Sequence, residues 1–129
     1  MRRHEPWILL LPLLAWTPAW AENPVLFGAE IVPILSQRCV MCHLPGVSQG
    51  GLDLYPEPWA ALVGVQSTES PLKRVEPGSP EKSYLYVKLL GTQDKVGGSG
   101  ARMPFQQDPL APADLAAVRN WIEQGAKLN

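Results

Sequence analysis

The chain has 129 residues, a formal net charge of −1, 46% hydrophobic and 18% charged residues, and only two cysteines and two histidines. That balance excludes a nucleic-acid-binding role, which needs a concentrated basic surface. The length suits one domain with one core.

The N-terminus carries a charged start at Arg2 and Arg3, an apolar run of about ten residues from Trp7 to Trp16, and Ala19-Trp20-Ala21. Small residues stand at the two positions a signal peptidase reads. The run is shorter than the roughly 20 apolar residues that span a bilayer, and Pro12 interrupts it. Residues 1–21 are therefore expected to be a secretory signal peptide, with an uncleaved anchor as the alternative. Cleavage before Glu22 leaves residues 22–129 as a single domain in the periplasm or outside the cell, with no membrane span. It also removes Met1 and His4, so the remaining ligand-forming side chains are Cys39, Cys42, His43, Met41 and Met103.

Asn23-Pro24 reads as an N-cap and first helical position. Phe27, Ile31, Ile34 and Leu35 follow at helical spacing. Pro33 should kink or restart this helix, because it lacks an N–H and crowds the preceding turn. The helix leads into Cys39-Val-Met-Cys-His43.

Four chemistries compete for that motif. Structural zinc needs four Cys or His ligands, and the exported domain holds three. A redox dithiol belongs at a helix N-terminus after a strand, whereas here the motif follows a helix. A Cys39–Cys42 disulfide would close a tiny loop and stabilise little. Covalent haem attachment accounts for all three residues together. Cys39 and Cys42, about one turn apart, form thioethers to the porphyrin edge, and His43 supplies a proximal imidazole. One covalent haem c is the expected cofactor.

Residues 44–56 read as a loop rich in glycine and proline, Glu57–Gly64 as a short helix ending at Gly64, and Gln66–Arg74 as a polar loop. Residues 79–91 read as one helix capped by Ser79, begun by Pro80 and ended by Gly91, with Leu85 and Leu89 on one face. Residues 91–106 have no strong period. They contain Met103, expected as the sixth ligand: no second histidine remains in residues 22–129, and Met41 sits inside the attachment turn. Gly97, Gly98 and Gly100 should let this loop pass close to a flat ligand, and Pro104 should hold Met103 extended. A five-coordinate iron, or a lysine or water in the sixth position, is the alternative. The last helix starts at Pro112, carries Asp114 in its first turn, buries Leu115, Val118 and Ile122 with Trp121 beside them, and ends at Gly125. An all-α domain of about four helices around one haem follows.

Trp59, Tyr84 and Tyr86 are candidates for bonding a haem propionate or for core packing. Lys73, Arg74 and Arg102 are candidates for pairing with a propionate or for solvated surface charge, and Arg74 is preferred because it precedes "VEPG".

From "CVMCH", Met103-Pro104 and the closing "LAAVRNWIEQGA", with weaker support from "GGLDL" and "VEPGSPEKSYLY", the sequence resembles a class I c-type cytochrome. The likeness is to the small bacterial mono-haem type, with planctomycete-like cytochrome c domains, and runs from Phe27 to Ala126. It implies a cytochrome c-like bundle, thioethers at Cys39 and Cys42, and axial His43 and Met103. It also implies a backbone carbonyl just after the motif, expected at Pro45, that orients His43. Leu44 departs from the glycine that many such domains carry after the histidine.

The expected function is single-electron transfer between redox partner proteins, with no catalytic residues and no small-molecule substrate. A haem subunit of a larger oxidoreductase and a haem-based sensor or gas-binding module are the rivals.

Overall fold

The computed structural model describes residues 23–129; the signal peptide expected over residues 1–21 and its cleavage before Glu22 lie outside the described residues. The fold is helical. Four α-helices, α1 (Val32–Arg38), α2 (Pro58–Leu62), α3 (Tyr84–Leu90) and α4 (Pro112–Glu123), are joined by loops that contain short 3₁₀ turns. Among the described residues there is no strand, only isolated bridges between Val63 and Val75, Gln66 and Lys73, and Lys73 and Ser83. No helix among them is long and apolar enough to cross a membrane.

The helix does not begin at Asn23-Pro24 as the sequence suggests. It opens at Phe27 after Leu26, with the Glu30 carboxylate accepting from Leu26 N–H at 2.7 Å. That reach back from the first turn does the work of a capping box, so Asn23 is not needed as a cap. The first turn, Phe27–Ile31, is π-helical and gives way to α1 at Val32. Val32 N–H bonds to Phe27 O, five residues back. Pro33 explains the widening: its ring would crowd the carbonyl four residues earlier in a regular helix. The expected restart at Pro33 is present in this form.

α4 holds the centre. Trp121, 1% exposed, lies with its ring 5.1 Å from that of Phe27 and donates its indole N–H to Lys127 O at 3.0 Å. Val118 and Ile122 are buried beside it, as their helical spacing predicts, while Leu115 is partly buried. The Phe27–Ile31 turn and α3 both pack against α4. Asn129 closes the ring of contacts through hydrogen bonds to Phe27 and Gly28.

The expected single helix over 79–91 is two pieces. A 3₁₀ turn, Pro80–Lys82, is separated from α3 by Ser83, whose backbone is extended (φ −104°, ψ 112°). Ser79 makes no side-chain cap. Ser83, 0% exposed, instead accepts from Glu76 N–H at 2.9 Å through Oγ and donates to Ser79 O at 2.8 Å. The break frees the first N–H groups of α3 for the neighbouring segment: Tyr84 N–H bonds to Lys73 O and Leu85 N–H to Arg74 O, both at 2.9 Å. Val75 N–H continues across to Leu62 O at 3.1 Å, and Gly64 N–H returns to Val75 O at 2.9 Å. α2, segment 73–75 and α3 are thereby stitched edge to edge. Gly91 ends α3 in the left-handed conformation (φ 72°), as its position predicts.

Candidate functional site

The end of α1 builds the first part of the site. Cys39 N–H still bonds to Leu35 O at 2.9 Å, after which one further turn winds over residues 39–43. Cys42 N–H and His43 N–H both reach Cys39 O at 3.2 Å. This turn sets the two thiols one helical turn apart, with the imidazole following directly.

The loop after the motif folds back over it. Gln49 N–H bonds to Cys42 O at 3.3 Å and Leu54 N–H to His43 O at 2.7 Å. Gln49 O lies 3.1 Å from His43 Nδ1. A carbonyl can only accept, so in this contact Nδ1 is the donor, and Nε2 is not engaged by it. A carbonyl after the motif does orient His43, but it belongs to Gln49 rather than Pro45. The chain must first turn, through Gly46 with φ 87°, before a carbonyl can face the ring.

Cys39, Cys42, His43 and Met103 line one cavity of about 450 Å³, within the roughly 300–1,000 Å³ usual for cofactor sites. The wall is largely apolar, with Leu52, Leu54, Leu62, Leu85 and Leu89 contributing to it. Met103 is held by its backbone N–H, which bonds to Lys88 O at 3.0 Å. Met41 is 79% exposed and is not on the cavity wall.

The glycines of the 91–106 loop divide their work differently from the sequence reading. Gly100 lines the cavity, but Gly97 and Gly98 do not. A methyl group at position 98 would stand 2.6 Å from Tyr84 Cε2 and 2.9 Å from Gln93 O. Gly98 is thus needed for close approach to a tyrosine ring and a carbonyl rather than to a ligand.

Of the six candidates for anion contacts, Arg74 and Tyr84 lie on the cavity wall. Arg74 donates from Nη1 to Ala61 O and from Nη2 to Gly51 O, both at 2.9 Å. The Tyr84 hydroxyl accepts from Ser99 N–H at 3.3 Å and donates to Ser99 O at 3.4 Å. Trp59, Tyr86, Lys73 and Arg102 are off the wall. Trp59 donates its indole N–H to Ala126 O at 2.8 Å, Lys73 pairs with Glu76 at 3.0 Å, and Arg102 donates to Gln107 O at 3.1 Å.

Sequence reasoning missed Lys88 and Glu69, which also line the cavity. Lys88 had a signal: Tyr84, Leu85, Lys88 and Leu89 fall at i, i+1, i+4 and i+5, one face of a helix, and all four reach the wall. Glu69 lies in a loop, where no period could mark it.

Both cysteines are free thiols. Burial pushes the Cys39 thiol up to about 11, with the charge of Arg38 opposing and Cys42 adding slightly. Burial also raises the Tyr84 hydroxyl, against the Ser99 hydrogen bond and with help from the charge of Glu69. Two thiols, an imidazole and a thioether thus line one cavity, while among the described residues no group of three or more His, Cys, Asp or Glu side chains is placed to hold a metal ion. Compared with protein-family models, with curated proteins and with solved structures, the chain finds no match.

Proposed function

We propose that the protein is an exported c-type cytochrome that carries single electrons between redox partner proteins. Its one haem c would be held by thioethers at Cys39 and Cys42 and ligated by His43 and Met103. The observation that carries this reading is the meeting of all four side chains on one largely apolar cavity, although Met103 lies sixty residues from His43 in sequence.

The residues suit that group one by one. The turn over 39–43 spaces the thiols for two attachment points. Gln49 O fixes the His43 ring by holding Nδ1–H, which leaves Nε2 as the donor and raises its basicity. Lys88 O fixes the backbone of Met103 and so limits where its thioether can go. The leucines give the cavity an apolar lining, and Arg74 remains a candidate cation for a propionate. When bound, the haem supplies a one-electron iron couple whose potential is raised by a methionine ligand. With His43 used in this way, the protein is proposed as a carrier rather than an enzyme.

Expression with haem-attachment machinery, followed by intact-mass measurement of the exported protein, tests the reading. The expected product begins at Glu22 and carries one haem mass. A chain that carries none overturns it.

A further inference from the structure

Lys88 is 7% exposed, and a lysine so little exposed needs acceptors for its ammonium donors. The protein supplies one acceptor. Nζ donates to Ser99 O at 2.9 Å, an oxygen that the Tyr84 hydroxyl also uses. Among the described residues the ion pairs are Lys73–Glu76, Arg119–Glu81 and Arg119–Glu123, and none involves Lys88. The Tyr84 ring offers its face at 5.9 Å, a weaker attraction than a carboxylate. An ammonium has three donors, so two are uncommitted, and Lys88 is on the wall of the cavity.

The backbone closes around this nitrogen. A methyl group at Gly100 would come within 3.3 Å of Nζ, so the loop leaves the ammonium a confined opening. The other charged side chains on the wall do not complete it. Glu69 is exposed, with Oε2 3.1 Å from where a Gly50 methyl would stand. Arg74 has both terminal nitrogens bonded to backbone carbonyls.

We propose that Lys88 is the anchor for a carboxylate group of the molecule that fills the cavity. The proposal rests on the haem reading, in which that molecule carries two propionates. It assigns Lys88 ahead of Arg74 as the cation that receives one of them. The site discriminates an acid from its ester, because only the ionised group satisfies the buried charge.

The experiment titrates the unloaded full chain with metal-free protoporphyrin and, separately, with its dimethyl ester, following porphyrin fluorescence. The diacid should bind about tenfold more tightly or better, as a hydrogen-bonded charge pair requires. Lys88→Gln should abolish the preference and Lys88→Arg should keep it. A residue that only tethers the Ser99 loop would weaken both probes alike, so equal loss for acid and ester overturns the proposal. Equal affinity in the parent chain, or binding of neither probe, overturns it as well. If Lys88→Gln does not accumulate, Arg74→Gln decides instead: a retained acid preference supports Lys88, and a lost one overturns the assignment. In the covalently loaded protein, the propionate bending band in resonance Raman spectra should move in Lys88→Gln and return in Lys88→Arg; an unmoved band overturns the assignment. A chain that prefers the acid but never acquires covalent haem would keep this site and remove the cytochrome reading. A loaded chain without the Raman shift would do the reverse.

Discussion

Asn129 caps the helix that Phe27 opens: its Oδ1 accepts from Phe27 N–H at 2.8 Å, and its carbonyl accepts from Gly28 N–H at 3.0 Å. The first N–H groups of a helix have no partner within it, and here residues a hundred positions away supply them. Just ahead of the helix, Val25 N–H donates to Gln124 Oε1 at 2.8 Å. Asn129→Ala should therefore destabilise the protein by about 1 kcal/mol, read as a lower denaturant midpoint at unchanged slope. No change in midpoint would show that water replaces the cap without loss.

Gly98→Ala should be among the most damaging small substitutions. Its new methyl group would meet Tyr84 and the Gln93 carbonyl at 2.6 and 2.9 Å, and overpacking of that kind costs about 1–3 kcal/mol. Gly28→Ala is the control, since the nearest atom to its methyl group is Asn129 O at 3.5 Å. The control should be neutral or slightly stabilising. Denaturant melts of the pair check both expectations, and equal behaviour would remove the steric argument.

The two cysteines should react unequally in the unloaded chain. Cys42 is exposed, whereas burial raises the Cys39 thiol to about 11. At pH 8 the thiolate fraction of Cys39 is on the order of one in a thousand. Iodoacetamide labelling followed by peptide mass analysis should show Cys42 modified first. The Cys39 rate should rise about tenfold per pH unit up to its titration point. A Cys39 rate that levels off near pH 9 would contradict the burial effect.

On the haem reading, Met103→Ala should leave covalent haem in place while opening the sixth position. The weak red absorption of ferric iron bonded to thioether sulfur should vanish, carbon monoxide should bind the reduced protein, and the potential should fall. A variant spectrum that matches the parent's would return Met103 to the role of a core filler.

α4 was readable because its signals are local: Pro112 at the start, Val118, Trp121 and Ile122 at helical spacing, and Gly125 after the end. The turn over 39–43 was readable for the same reason. The break at Ser83 was not, since it depends on Glu76 N–H and Lys73 O, partners brought up by the fold. Gln49 rather than Pro45 meets His43 because Gly46, which stands between them, sets the direction of the loop, and its conformation is not written in its identity. Gly97, Gly98 and Gly100 look alike as sequence; only the position of Tyr84 tells Gly98 from Gly100. Lys88 belonged to a legible helix face, but that it joins none of the ion pairs among the described residues could appear only in three dimensions.

The stitching of α2, segment 73–75 and α3 joins the strand-like segment that carries Arg74 to the helix that carries Lys88. Both therefore stand on one frame, and neither can shift without breaking backbone hydrogen bonds in a close-packed interior. On the haem reading, such a wall would change shape little when the charge of its occupant changed by one. The dipoles around the occupant are set before the change and need not reorient during it. For a reaction in which only an electron moves, this lowers the reorganisation energy: the barrier set by rearranging the surroundings, as distinct from the driving force set by the ligands.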